Sequence, residues 1–140
     1  MLLADQQDTK GYLLSFAQQS LTENMSVLFA GSTKNQQLTS EQYLSEAKLL
    51  NRSLLTGTWF GLLFDQDVRK QYRAPWLDIQ QGISELQTLW IIHQQLQTLD
   101  EKPTKLVLWQ GSKVEGLLMA LDSSRKIALK MKSYWLDESL

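Results

Sequence analysis

The chain has 140 residues, 43% of them hydrophobic and 21% charged, and its formal net charge is −1. These values are close to the averages of globular proteins and predict one folded domain over residues 1–140. Because the sequence contains no cysteine, disulfides, thiolate nucleophiles and Cys-based zinc or iron–sulfur sites are excluded. The low charge also argues against a duplex-DNA partner, which normally requires many phosphate contacts.

The apolar runs of the sequence bear on where the protein resides. Asp5, Asp8 and Lys10 interrupt the stretch that would have to be continuously apolar in a signal peptide. No apolar run elsewhere approaches the length needed to cross a bilayer. We therefore expect a cytoplasmic protein with no membrane partner.

The first half of residues 1–100 shows two helical patterns. Residues 9–30 place apolar side chains at intervals of three and four, which predicts a helix that ends at Gly31. Thr39 or Ser40 can cap a second helix, whose apolar stripe continues to Leu54.

A third helix is predicted after a less regular stretch. Residues 56–64, TGTWFGLLF, contain two glycines and three aromatic residues and are compatible with a short strand, a kink or a contact between helices. The charged residues 65–73 are expected to be exposed. Pro75 suits the first turn of the helix that follows, which extends to Leu99 and has a broad apolar face. Gly82 within it is expected to mark the close approach of another element.

Residues 105–136 predict mainly strands. Leu106 and Leu108 alternate with their neighbours, residues 127–132 alternate again, and turn-forming residues lie at Gly111 and at residues 122–124. This spacing favours a three-stranded antiparallel sheet, with Gly116 permitting a sharp bend. Alternatively, residues 113–122 form a helix, since they are mostly good helix formers. The predicted fold class is α+β, with about three helices followed by a small curved sheet.

The pattern of apolar residues and glycines over residues 106–129 resembles the first motif of Sm and Sm-like proteins. The resemblance implies a strongly bent, SH3-like small sheet, assembly into rings by strand pairing, and binding of single-stranded RNA near the loop after Asp122. Lys126 stands where the family usually has asparagine. In such a protein Trp109, Asp122, Lys126, Lys130 and Lys132 would lie nearest the RNA. The matching residues are Leu106, Leu108, Gly111, Val114, Gly116, Leu118, Leu121, Asp122, Ile127 and Leu129.

Catalytic groups are scarce in this sequence. His93 is the single histidine, and its spacing from Ile83, Leu86 and Trp90 indicates a core or interface position. No nucleophile motif, phosphate-binding glycine loop, dinucleotide fingerprint or metal-ligand cluster is present. We therefore expect no enzyme activity, no cofactor and no metal. The five tryptophans make the chain tryptophan-rich and suggest hot spots of an interface.

These features favour a non-catalytic protein-interaction or assembly module that self-associates through a sheet edge or the broad helical face. The first alternative is the binding of single-stranded RNA by the Sm-like sheet. The second is the binding of a small molecule in a pocket lined by Trp59, Phe60 and Phe64.

Overall fold

All regular secondary structure in the part of the chain that the structure describes is helical. That part of the computed structural model comprises residues 2–30 and 36–136, with side chains from residue 11 onwards. Single turns of 3₁₀-helix lie at Gly61–Leu63 and Tyr134–Leu136. The five α-helices are α1 (Leu2–Ser26), α2 (Ser40–Ser45), α3 (Ala47–Phe60), α4 (Gln66–Gln97) and α5 (Thr104–Lys130).

The helices expected in the first half of the chain are present, with different ends. Helix α1 buries Ala17 and Leu21 and is followed by a turn in which Phe29 has a left-handed φ of 54°. Gly31, the predicted helix end, lies outside the described residues. Thr39 caps α2 as expected, since its hydroxyl accepts from the N–H of Gln42 and the Gln42 side chain accepts from the N–H of Thr39.

Helix α4 begins nine residues before Pro75, so the prediction that Pro75 opens this helix is wrong. The cap is Asp65, whose carboxylate accepts from the N–H groups of Asp67 and Val68. Pro75 lies buried inside the helix, where it leaves the carbonyl of Gln71 without its usual donor. Gln71 is exposed, so water can bind this carbonyl. The helix of 32 residues is about 48 Å long.

The α+β prediction is wrong, because residues 104–130 form helix α5 and no described residue is in a strand. The side chains that α5 buries are Gln110, Leu121, Arg125 and Ala128, with Val114, Leu117 and Leu118 partly buried. These positions recur every three or four residues, which is the helical period. The apolar residues that alternate over residues 127–132 also fit the helical period in part, so their spacing did not distinguish a strand from a helix. The alternative reading of residues 113–122 as helix was therefore the right one.

The resemblance to Sm proteins does not hold either. An Sm or SH3-like fold needs a curved sheet, whereas Gly111 and Gly116 both lie inside α5. A Cβ atom added at either glycine would meet no atom within 4 Å, so neither glycine is required for a bend or a close contact. Asp122 likewise lies within the helix and does not precede a loop.

Helices α4 and α5 form an antiparallel hairpin that is the centre of the fold. Gln110 donates from Nε2 to the carbonyl oxygen of Leu89 at 2.8 Å, and Leu121 packs on Gly82. A Cβ at residue 82 would lie 2.5 Å from Cδ2 of Leu121, so Gly82 marks a close approach as predicted. The other helices cover one part of this hairpin.

Aromatic side chains join the remaining elements to the hairpin. Phe29 stacks on Trp76 of α4 with ring centroids 6.3 Å apart and meets Tyr43 of α2 edge-on at 5.9 Å. After Lys130 the chain turns back toward α4, and Trp135 packs edge-on against Tyr72. The indole N–H of Trp135 donates to the hydroxyl of Thr22 in α1 at 2.9 Å. The C-terminal turn therefore connects α1 with α4.

The description of the chain as tryptophan-rich is not supported, because the five tryptophans do not form one feature. Trp76 and Trp135 are core residues. Trp59 is 71% exposed at the end of α3, and Trp90 and Trp109 are about half-exposed on the hairpin. Only the last two share a region of the surface.

Candidate functional site

The residues predicted to contact RNA are spread along α5 and beyond its end. Trp109 precedes Lys126 by 17 positions, which corresponds to about 25 Å along a helix. Lys126 and Lys130 are one turn apart and Lys132 follows the helix. The structure therefore brings the lysines near one another and leaves Trp109 apart from them.

Asp122 belongs to a largely buried polar cluster between α2 and α5. Its carboxylate accepts a short hydrogen bond from the hydroxyl of Tyr43 and lies 4.0 Å from Nε of Arg125. Arg125 is fully buried and donates to the carbonyl oxygen of Gln36. Burial, reinforced by the Asp122 carboxylate, raises the pKa of Tyr43. These interactions hold α2 against the hairpin, so we assign Asp122 a structural role.

The three aromatic residues predicted to line a pocket have different surroundings. Trp59 is largely exposed. Phe60 meets Phe16 of α1 edge-on, with centroids 5.7 Å apart. Phe64 is buried and meets Tyr134 edge-on at 5.4 Å. The structure does not bring these side chains together around one space.

The connected end of the α4–α5 hairpin has an unusual surface. Between residues 87 and 109, all of which the structure describes, Leu96 alone is buried. The six residues 104–109 that begin α5 are all exposed. Seven large apolar side chains in this region are at least 40% exposed, and we call them the hairpin surface. They are Trp90, Ile91, Leu99, Leu106, Val107, Leu108 and Trp109.

A groove of about 360 Å³ lies beside the hairpin surface, between α2, α4 and α5. Trp90 and His93 stand at its side with their rings stacked, the centroids 5.6 Å apart and the planes at 27°. His93 is half-buried at this groove. The other residues that line the groove are Ser40, Leu44, Leu86, Leu89, Val107, Gln110, Gly111 and Val114.

A smaller groove lies on the opposite side of the hairpin, with Trp109, Ile92 and Leu117 among its lining residues. Leu89 lines both grooves, so the two faces meet at the same level of the hairpin. A partner helix could therefore contact either face. Such paired apolar faces are the surfaces through which helical hairpins pack into bundles.

The described residues were also compared with the requirements of a metal site and of a membrane-spanning helix. No group of three or more histidine, aspartate or glutamate side chains converges there in a way that could bind a metal ion. None of the described helices combines the length and the apolar composition that crossing a bilayer requires.

The hairpin surface was visible in the sequence but was interpreted differently. Leu106, Val107, Leu108 and Trp109 are four consecutive large apolar residues. In a helix, four successive residues point in four directions, so a single neighbouring helix cannot cover them all. Such a run inside a helix is the signal that indicates an exposed apolar surface.

Fold and surface together define an all-α protein with an apolar hairpin end. Comparison of the chain with family models, with curated proteins and with solved structures gives no match, and nothing in it supports an Sm motif.

Proposed function

We propose that this chain is a non-catalytic, cytoplasmic assembly module that binds a second copy of itself through the hairpin surface. The observation that carries the proposal is the hairpin surface itself, in which seven large apolar side chains are each at least 40% exposed. The absence of cysteine from the sequence is consistent with the reducing cytoplasm.

The hairpin surface supports this proposal better than the other exposed apolar region. That second region, at the α1–α3 end, includes Tyr12, Phe16 and Trp59. It adjoins residues 2–10 of α1, whose side chains the structure does not describe. Every residue of the hairpin surface is described, and so is every neighbour in its sequence. The exposure of the hairpin surface is therefore established by the described residues.

The strength of association follows from the exposed apolar fractions. In one copy, the exposed fractions of the seven side chains add up to more than three complete side chains. Each complete burial contributes roughly 1.5–3 kcal/mol, so two fully covered copies gain roughly 10–20 kcal/mol. Association costs roughly 4–15 kcal/mol. The difference between the middle values of these two ranges is a net binding free energy of about 5 kcal/mol, which corresponds to a dissociation constant on the order of 0.1 mM.

Two hairpins that pack through these faces would form a four-helix bundle. A two-fold axis brings the same patch of both copies together, so each apolar side chain gains an apolar neighbour. The charged residues Asp100, Glu101 and Lys102 of the connection are exposed, as is Lys105 in the first turn of α5. These residues would lie at the rim of this interface. The sequence contains no nucleophile motif and a single histidine, which supports a binding role rather than a catalytic one.

Sedimentation velocity on wild-type protein and two variants tests this proposal. Leu108→Asp places a charge in the hairpin surface, and Met119→Asp is its matched control. Both side chains are 68% exposed on α5, and a separation of eleven residues places them on the same side of the helix, about 16 Å apart. Neither is in the core, so both variants should fold as the wild type does.

The expected result is a wild-type sedimentation coefficient that rises between about 10 and 500 μM, around the dissociation constant derived above. Met119→Asp should behave in the same way, whereas Leu108→Asp should remain monomeric. A monomeric wild type over the whole range, or equal association of Leu108→Asp and wild type, would contradict the proposal.

A further inference from the structure

A pair of arginines at the opposite end of α4 has no carboxylate partner among the described residues. Arg69 and Arg73 are one helical turn apart and therefore lie on the same face of α4. Among the described residues, the ion pair present is that of Arg125 with Asp122, and neither arginine takes part in one. Two adjacent cations without a counter-charge repel each other.

Both arginines are half-buried. The Nε atoms of Arg69 and Arg73 are buried and have no hydrogen-bond acceptor. The stem of Arg69 lies against Gly61, where a Cβ atom would be 2.5 Å from its Cδ. Nη1 of Arg69 donates to Oε1 of Gln66 at 2.9 Å. These contacts position the side chain of Arg69, and Arg73 lies one turn further along the same face.

Asp65, an acid at the same end of α4, serves another purpose. Asp65 lies four residues before Arg69, and its carboxylate accepts from two backbone N–H groups as the cap of α4. Burial and the nearby charge of Arg69 lower the pKa of Arg73. An anion that neutralised the pair would remove this repulsion.

Tyr134 packs against the same part of α4, through its ring contact with Tyr72, the neighbour of Arg73 in the sequence. Its ring is buried between Phe64 and Tyr72, with centroids 5.4 and 5.3 Å away. Burial raises the pKa of Tyr134, while the charges of Arg69 and Arg73 act in the opposite direction. The hydroxyl therefore keeps its proton at neutral pH and can donate a hydrogen bond.

We propose that Arg69, Arg73 and Tyr134 form a binding site for a phosphate dianion, either free or as the phosphomonoester of a small molecule. Guanidinium groups match phosphate because they donate two parallel hydrogen bonds to its oxygens. Two cations also match the double negative charge that phosphate carries near neutral pH. A carboxylate, with one charge, would neutralise only half of the pair.

The test is a titration of the whole chain, followed by ¹H–¹⁵N NMR of the arginine Nε–H groups. Burial of these groups in Arg69 and Arg73 should slow their exchange with water and make their signals visible. Inorganic phosphate, phenyl phosphate and acetate are added separately at constant ionic strength, which is kept with sodium chloride. The first two ligands distinguish a free phosphate from an ester.

We expect phosphate or its ester to shift the Nε–H signals of Arg69 and Arg73 in a saturable way. Acetate should shift them at least tenfold less. Arg73→Lys keeps the positive charge but cannot donate two parallel hydrogen bonds. It should weaken phosphate binding by about tenfold, since a hydrogen bond to a charged group contributes about this factor to affinity. Arg52→Lys, on an exposed position of α3, should bind as the wild type does. Signals that do not saturate, equal response to acetate, or wild-type affinity of a folded Arg73→Lys variant would overturn the proposal.

Discussion

Replacing Gly116 by alanine tests whether residues 104–130 are helix or sheet. Gly116 is exposed inside α5, and an added Cβ would meet no atom within 4 Å. In an exposed helix interior, alanine is more favourable than glycine by about 1 kcal/mol. Gly116→Ala should therefore raise the free energy of unfolding by about 1 kcal/mol. In a sharply bent strand the same change would remove the flexibility that the bend requires and would lower stability.

Gly82→Ala is the matched comparison, because the same chemical change meets a filled space. The new Cβ would lie 2.5 Å from Cδ2 and 3.0 Å from Cγ of Leu121. Leu121 is buried in the core and has little room to move. Overpacking costs typically 1–3 kcal/mol, which exceeds or offsets the helix gain of about 1 kcal/mol. The net expectation is a loss of about 1 kcal/mol.

Urea denaturation followed by circular dichroism at 222 nm measures both changes. The two variants should shift the midpoint in opposite directions with an unchanged slope, because the exposed area on unfolding stays the same. Destabilisation by Gly116→Ala would refute helix α5. Stabilisation by Gly82→Ala equal to that of Gly116→Ala would refute the packing of α4 on Leu121.

Three further changes test the packing between the helices and the hairpin. Asp122→Ala leaves the buried Arg125 without its carboxylate and should cost about 3–5 kcal/mol in urea denaturation, whereas Asp78→Ala, on an exposed position, should change stability by less than about 0.5 kcal/mol. Thr39→Ala removes the capping box of α2 and should cost about 1 kcal/mol. Burial raises the pKa of Tyr72 to about 12, so the unfolded chain loses this proton first and stability falls as the pH rises from about 10 to 12. Tyr72→Phe should lessen that alkaline loss, as measured by the unfolding midpoint at successive pH values.

The sequence predicted the helices of the first hundred residues because their signals are local. The capping residues at Thr39, the apolar stripe toward Leu54 and the broad face that ends near Leu99 each depend on neighbours within a few positions. The start of α4 was missed because Pro75 was taken as a first-turn residue. In the folded chain Pro75 is buried inside α4, and Asp65 supplies the cap.

The last third was predicted wrongly because two periods overlap in it. Ile127, Leu129 and Met131 alternate, but the buried positions Leu121, Arg125 and Ala128 recur with the helical period. A buried arginine hides that stripe from a pattern based on apolar residues. Arg125 interacts with Asp122, which is close in the sequence, and with the carbonyl of Gln36, which is distant. Because one of these partners is distant, no local signal could identify Arg125 as a core residue.

The candidate sites were only partly accessible from sequence for the same reason. His93 was expected in the core or at an interface from its spacing, and it lines the groove with Trp90. The charged residues 65–73 were expected to be solvated. Arg69 and Arg73 lie four positions apart there, but that Gly61 and Tyr134 pack near them depends on long-range folding.

The most direct measurement of the proposed self-association is the concentration dependence of the tryptophan indole N–H signals in ¹H–¹⁵N NMR. Trp90 and Trp109 belong to the hairpin surface, and the exposed Trp59 at the other end of the molecule is an internal control. Between about 10 and 500 μM, around the expected dissociation constant, the signals of Trp90 and Trp109 should move while that of Trp59 stays in place. Positions of Trp90 and Trp109 that do not change with concentration would contradict self-association through the hairpin surface.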